Sequence, residues 1–266
     1  MCRWITYLGE PIYLEDLIYK PGHSLIEQSL HAEQAKVPTN GDGFGIGWYG
    51  ERDVPGVYRE VLPAWNDPNL LSLSQQIRAR LFFAHVRAST GTETIRPNCH
   101  PFAHGPWLFM HNGQIGGYAA LRRRLEALIP DSYYAFRRGT TDSEVIFYLL
   151  FANGLEHDPV GALQRTIGQI EAEVEASGTG GEFRLTAALS DGDRVYAIRY
   201  STDCCPPSLY YTACSRQRIV VSEPLGLPDR RWDPVPPNHL LIVGETGEPE
   251  VIDLGQRMPR RAAAVA

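Results

Sequence analysis

The chain opens on alternating polar and apolar residues: residues 2–8 carry the period-two pattern of a strand that starts almost at the N-terminus. Residues 13–19 and 24–34 show the spacing of two short amphipathic helices, broken by Pro21-Gly22. Asn40-Gly41-Asp42-Gly43 is turn chemistry, and the apolar run 44–49 after it predicts a strand. A helix over 70–80 and a β-rich run over 81–87 follow. The next strand covers 107–110 and ends at His111-Asn112-Gly113. Three helices are predicted in the middle of the chain. One spans 118–129 and is ended by Pro130. A second, apolar over 145–151, opens at a Thr141-to-Glu144 capping box, and the third, amphipathic, covers 159–176. Residues 177–181 read as a flexible link. Strands then recur at 184–189, 194–199, 209–214, 218–222 and 240–244, the first two joined by the hairpin signal Ser190-Asp191-Gly192-Asp193. Strands, then helices, then strands again is an α+β pattern in which two sheets can pack between helices. From Gln256 the chain loses any core pattern and reads as a loose tail, leaving 2–255 as one domain.

Composition narrows the function classes. A net charge of −6 does not suit nucleic acid, which needs clustered Lys and Arg. The only dense basic runs, Arg122-Arg123-Arg124 and Arg260-Arg261, read as solvated surface and tail. The five cysteines, at 2, 99, 204, 205 and 214, do not form a disulfide framework, which points to a reducing compartment. Cys99, His100 and His104 offer three metal ligands but no fourth, and no nucleotide motif stands out, so no metal or other cofactor is expected. No secretory signal and no stretch of membrane-spanning length is present, so the expected location is cytoplasmic and no membrane partner is expected.

The chemistry begins with Cys2. Removal of Met1 would leave a thiol and a free α-amine on one residue. Model values of ~8.5 for a thiol and ~7.7–8.0 for an α-amine let the amine take the thiol proton and later return it to a leaving amine. In His111-Asn112-Gly113-Gln114-Ile115, a carboxamide and a backbone N–H at a strand end could face one atom, as an oxyanion hole requires; an ordinary Asn-Gly turn is the alternative. Arg87, ending an apolar strand, suits bidentate capture of a carboxylate or a plain salt bridge. Asp142, at a helix N-terminus, could hold an ammonium group or simply complement the helix dipole. His100, in His100-Pro101-Phe102, could shape a pocket or bond a loop.

Cys2, the H-x-R-x-x-T-G run at 85–91, His100-Pro101-Phe102, His111 to Ile115, and Thr140-Thr141-Asp142-Ser143-Glu144 occur in an order that resembles class II glutamine amidotransferase domains, in particular their stand-alone, YafJ-like branch. The match continues through Asp42-Gly43-Phe44-Gly45, Ser222-Glu223-Pro224-Leu225 and residues 232–237. The resemblance implies a four-layer αββα N-terminal-nucleophile (Ntn) hydrolase sandwich. It makes Cys2 the nucleophile, its α-amine the base, and Asn112 with the Gly113 N–H the oxyanion hole. It puts Arg87 on a substrate carboxylate and Asp142 on a substrate ammonium, with Thr90 and His100 lining the pocket. The implied reaction releases ammonia from glutamine through a γ-glutamyl thioester. Larger members carry a second, synthase domain for which this chain has no residues, so transfer of ammonia needs a separate synthase as partner. Two other readings stand beside this one. One is a hydrolase of γ-glutamyl peptides such as glutathione-like thiols or ergothioneine precursors; the other is a non-catalytic, glutamine-binding regulatory module.

Overall fold

The computed structural model describes residues 2–34, 38–89, 91–203, 205–214 and 216–255. The expected tail from 256 onward, Thr90 and Cys204 therefore lie outside the described residues. In chain order the elements are β1 (Arg3–Tyr13), α1 (Glu15–Ile18), α2 (Leu25–Leu30), β2 (Phe44–Trp48), β3 (Gly56–Glu60), α3 (Pro68–Gln76), β4 (Arg78–Val86), β5 (Phe102–His104), β6 (Trp107–Ile115), α4 (Tyr118–Glu126), α5 (Asp131–Tyr134), α6 (Asp142–Ala152), α7 (Pro159–Ser177), β7 (Phe183–Ser190), β8 (Arg194–Ser201), β9 (Tyr210–Cys214), β10 (Gln217–Val221), β11 (Asp233–Pro234), β12 (His239–Gly244) and β13 (Glu250–Asp253).

The strands form two antiparallel sheets, ordered β11-β9-β10-β1-β4-β2-β3 and β13-β12-β8-β7-β6-β5. Each strand sends alternate side chains to opposite faces, and the apolar residues sort into three layers accordingly. Ile5, Tyr7, Phe82 and Ile219 of the first sheet pack under α1–α3 with Leu17, Leu25 and Leu70. Phe109, Leu185 and Ile198 of the second pack under α4, α6 and α7 with Leu121, Phe147 and Ile167. Trp4, Leu8, Phe83, Leu108, Met110, Ala188 and Val220 fill the space between the sheets. The architecture is the αββα sandwich. No helix among the described residues is long and apolar enough to cross a membrane.

Several elements differ from the sequence reading in ways that bear on the site. β1 runs to Tyr13, past Gly9-Glu10-Pro11, with a bulge between Leu8 and Ile12. Arg78 to Arg80 belong to β4, where edge-to-edge pairing with β1 overrides the helical pattern that precedes them. β6 does not stop at Met110 but continues through Asn112-Gly113, with Asn112 opposite Thr186 and Gly113 opposite Leu185. The hairpin-turn alternative for Asn112-Gly113 is thereby excluded. At α6 the Thr141 hydroxyl accepts from the Glu144 N–H, but the Glu144 carboxylate turns to the N–H groups of Arg138 and Gly139 instead of closing the box. The full capping box is at α2, between Ser24 and Glu27.

Candidate active site

One end of the sandwich opens into a cavity of about 770 Å³. Cys2, Arg87, His100, Asn112, Gly113 and Asp142 all line it. They reach it by strand alternation. Cys2 lies two residues before Trp4, an inter-sheet residue, and Asn112 lies two after Met110, so both share the inter-sheet face. The two strand ends meet there: the Cys2 backbone nitrogen donates to Asn112 Oδ1 at 3.1 Å. The Asn112 Nδ2 is buried and makes no hydrogen bond among the described residues. The Cys2 thiol faces the Ala88 carbonyl at 3.7 Å. Gly113 is required by space, since a Cβ there would overlap the Arg184 carbonyl and crowd His111 Nε2.

Arg87 is 3% exposed and its guanidinium is held by neighbours on its own loop and the next. Its Nη2 donates to Thr92 Oγ1 at 2.6 Å and Ser89 Oγ at 3.3 Å, and its Nη1 to the Asp42 carbonyl at 3.2 Å. The Asp42 carboxylate accepts from the Ser89 N–H at 2.7 Å, which ties the turn at 40–43 to this segment. No carboxylate is bonded to Arg87 among the described residues, so the salt-bridge alternative is not what the structure holds. Asp142 accepts from the Ile115 N–H at 2.9 Å and, through its other oxygen, from the Ser143 N–H at 2.8 Å. It therefore both serves its helix N-terminus and presents a fixed carboxylate to the cavity. Thr90, the remaining expected pocket residue, lies outside the described residues.

His100 does not bond a loop: neither of its ring nitrogens has a hydrogen-bond partner among the described residues. Its ring packs on His85 with centroids 4.3 Å apart and on Phe102 at 4.7 Å. His111 lies beside them, its Nδ1 paired with Ser143 Oγ at 2.9 Å and its Nε2 with the Arg184 carbonyl at 3.1 Å. Burial favours the neutral imidazole in all three. It lowers His85 to about 3, sends His100 well below its ordinary value and lowers His111; the Arg87 guanidinium adds to the effect at His85 and His100. Between pH 6.5 and the lowered folded values, the unfolded chain binds protons that the folded histidines refuse. Stability should therefore fall on acidification below about 6.5, at up to ~1.4 kcal/mol per pH unit for each histidine. Denaturant titrations between pH 7 and 5 on the wild type and on His85→Gln check this, with a shallower slope expected in the variant.

Several supporting residues gave no sequence signal. Arg3, next to Cys2, points to the opposite face and is fully buried. It donates to the carbonyls of Gln34 at 2.8 Å and Ser222 at 3.3 Å, and lies 3.4 Å from the Glu223 carboxylate. Glu223 also accepts from the N–H groups of Glu33 and Gln34 and contacts His23 at 2.5 Å. This network fixes the start of β1 from behind Cys2. Ser222-Glu223 was legible only as a stretch of matching residues. Of the Arg122–Arg124 run read as solvated surface, Arg122 lines the cavity rim and bonds Glu126, whereas Arg123 and Arg124 are exposed. Amphipathic periodicity cannot distinguish a helix face turned to solvent from one turned to a cavity mouth.

Comparison with known proteins agrees with this architecture. The family model for class II glutamine amidotransferases matches residues 22–213. The chain is 33% identical to a Saccharomyces cerevisiae protein called Probable glutamine amidotransferase DUG3, over 91% of this chain and 82% of that one. It is 28% identical to the gamma-glutamyl-hercynylcysteine sulfoxide hydrolase of Mycolicibacterium smegmatis, over 91% and 96% of the two chains. A solved glutamine aminotransferase class-II domain protein from Silicibacter pomeroyi superposes with a TM-score of 0.74 at 40% identity, covering 95% of this chain and 99% of the other. Shared sequence over most of its length and a shared fold over nearly all of it make this chain a member of the class II glutamine amidotransferases, enzymes of the Ntn sandwich that act on C–N amide bonds.

Proposed function

We propose that this protein hydrolyses the γ-amide bond of glutamine or a γ-glutamyl compound, with Cys2 as the nucleophile after removal of Met1. The observation that carries the reading is the meeting of Cys2 and Asn112 in one cavity: Asn112 Oδ1 accepts from the Cys2 nitrogen, and Nδ2 is buried with no partner among the described residues. A buried donor without an acceptor is costly, and an oxyanion formed beside Cys2 would supply the acceptor.

The α-amine of Cys2 takes the thiol proton, and the thiolate attacks the γ-carbonyl carbon. Asn112 Nδ2 and the Gly113 N–H receive the oxyanion. When the tetrahedral adduct collapses, the C–N bond breaks and the ammonium of Cys2 gives its proton to the departing nitrogen. Water then attacks the thioester carbon, the C–S bond breaks, and glutamate leaves with the thiol restored. The rigid guanidinium of Arg87 binds the substrate α-carboxylate and the carboxylate of Asp142 binds the α-ammonium; the resemblance adds Thr90 and His100 to the same pocket. Delivery of ammonia to an acceptor would take a separate synthase.

Arg87→Lys tests the glutamyl half. Lysine keeps the charge but loses the planar fork whose two ends bond Asp42, Ser89 and Thr92. The KM for any γ-glutamyl substrate should rise about tenfold or more, with a smaller change in kcat, as one charge-assisted hydrogen bond of ~1.5–3 kcal/mol implies. An unchanged KM in steady-state assays would remove Arg87 from the substrate.

A further inference from the structure

The cavity lining includes residues to which no glutamyl role is assigned, Arg184 and Pro207 among them. Arg87 directly follows β4, and the segment carrying His100 leads into β5. The loop before Asp142 is tied to that segment through the bond from the Thr140 N–H to Asn98 Oδ1 at 2.8 Å. These residues form one flank of the Cys2–Asn112 pair. β7 lies on the other side of β6, and its inter-sheet face brings Thr186 opposite Asn112 and Arg184 opposite Gln114. Asn112 and Arg184 are thus diagonal neighbours on one face, about 7–8 Å apart by sheet geometry, with their Cβ atoms somewhat nearer. Pro207 closes the same flank, its carbonyl accepting from Thr186 Oγ1 at 3.1 Å and Arg199 Nε at 3.0 Å. Both Arg184 and Pro207 line the cavity.

Arg184 is built for fixed recognition. Its Nε donates to Asp203 at 3.1 Å and its Nη2 reaches Asp203 and Glu182, while Nη1 makes no hydrogen bond among the described residues. The side chain is 19% exposed, so the guanidinium is anchored on one edge and presented on the other. Of the other two cavity arginines, Arg87 is assigned to the glutamyl half, and Arg122, on α4, is bonded to Glu126.

We infer that Arg184 is a specificity-determining residue that binds a carboxylate on the leaving amine, so that the preferred substrate is a γ-glutamyl amino acid or short peptide. This inference rests on the proposed Cys2 hydrolysis and adds the identity of the leaving group. A γ-carbonyl in the oxyanion site has its α-carbon substituents toward Arg87 and Asp142. The leaving nitrogen is then on the β7 flank, where a carboxylate attached one carbon beyond it comes within reach of Arg184 Nη1. Ammonia would leave this flank unused, and the cavity is of the size that takes ligands much larger than one amino acid.

The test compares γ-glutamylglycine with γ-glutamylglycinamide, which differ only in carboxylate against carboxamide. The wild type is expected to favour the carboxylate by about tenfold or more in kcat/KM. Arg184→Gln should bring that ratio close to one, and Arg184→Lys, which keeps the charge and the Asp203 partner, should retain part of it. A variant that is merely misfolded would lose both substrates together and leave the ratio intact, so Arg184→Lys and the ratio keep the result readable. Equal use of the two substrates by the wild type, or a preference that survives Arg184→Gln, would overturn the inference. So would Cys2-dependent turnover of glutamine with neither dipeptide cleaved, which leaves the proposed hydrolysis standing. If no γ-glutamyl compound is cleaved at all, both fall.

Discussion

Replacement of Cys2 by alanine is expected to reduce turnover of every γ-glutamyl substrate by at least about 10⁴-fold while leaving the fold intact. The size of the effect follows from one residue supplying the attacking atom: without the thiol no thioester forms, and what remains is binding and the oxyanion donors alone. The fold should tolerate the change because Cys2 is only partly buried, and among the described residues its thiol makes one hydrogen bond, the long approach to the Ala88 carbonyl at 3.7 Å. The α-amine and its bond to Asn112 would persist in the variant. Substrate binding should therefore survive, and equilibrium dialysis with glutamine or γ-glutamylglycine should return an affinity near that of the wild type. Loss of both binding and turnover would instead mean that Cys2 holds the site together. Full turnover in the variant would remove it from the chemistry.

The second large effect is expected at Asn112. Its carboxamide has two ends: Oδ1 accepts from the Cys2 nitrogen, and Nδ2 is a buried donor with no partner among the described residues. Loss of one oxyanion donor costs about 10²–10³ in kcat, and loss of the bond to the nitrogen of the nucleophile should add to that. Asn112→Asp makes the distinction. It keeps an acceptor for the amine but puts a carboxylate where a donor is needed, so kcat should drop at least as far as in Asn112→Ala. Stability should change by no more than about 1–3 kcal/mol in Asn112→Ala, since the substitution removes a buried amide nitrogen with no partner among the described residues but also the acceptor of the Cys2 nitrogen. A decrease of several kcal/mol in a urea melt would show that Asn112 is structural in a way the hydrogen bonds do not reveal.

What could be read from sequence divides along a physical line. Long periodic segments such as α7 and the β7–β8 hairpin were legible because one apolar face repeats over many residues. The short strands β3, β5 and β13, with three to five residues each, were not, because pairing with a neighbour supplies the order that their own pattern lacks. In the site, Cys2, Arg87, His100, Asn112, Gly113 and Asp142 were each ambiguous alone and were named because they stand in a recognisable order. The structure brings those six residues to one cavity. The residues that hold them, Asp42, Ser89 and Thr92 around Arg87, and Arg3 with Glu223 behind Cys2, act through contacts that mix hydroxyls, carboxylates, carbonyls and N–H groups from separate segments, which no periodic side-chain pattern encodes. Arg184 is the clearest case. In the sequence it is the polar start of a strand, and only the register of β7 against β6 sets it beside Asn112.

The central claim, a processed N-terminal cysteine working within a glutamyl pocket, is tested most directly by the mass of the N-terminal peptide after incubation with 6-diazo-5-oxo-norleucine. This glutamine mimic carries the α-amino and α-carboxylate groups that Asp142 and Arg87 are proposed to bind, and it alkylates a correctly placed thiolate with loss of dinitrogen. The account predicts a peptide that begins at Cys2, bears one adduct on that residue, and is protected from labelling by excess glutamine or γ-glutamylglycine. A peptide that retains Met1 and no adduct, in protein that still hydrolyses γ-glutamyl bonds, would contradict it.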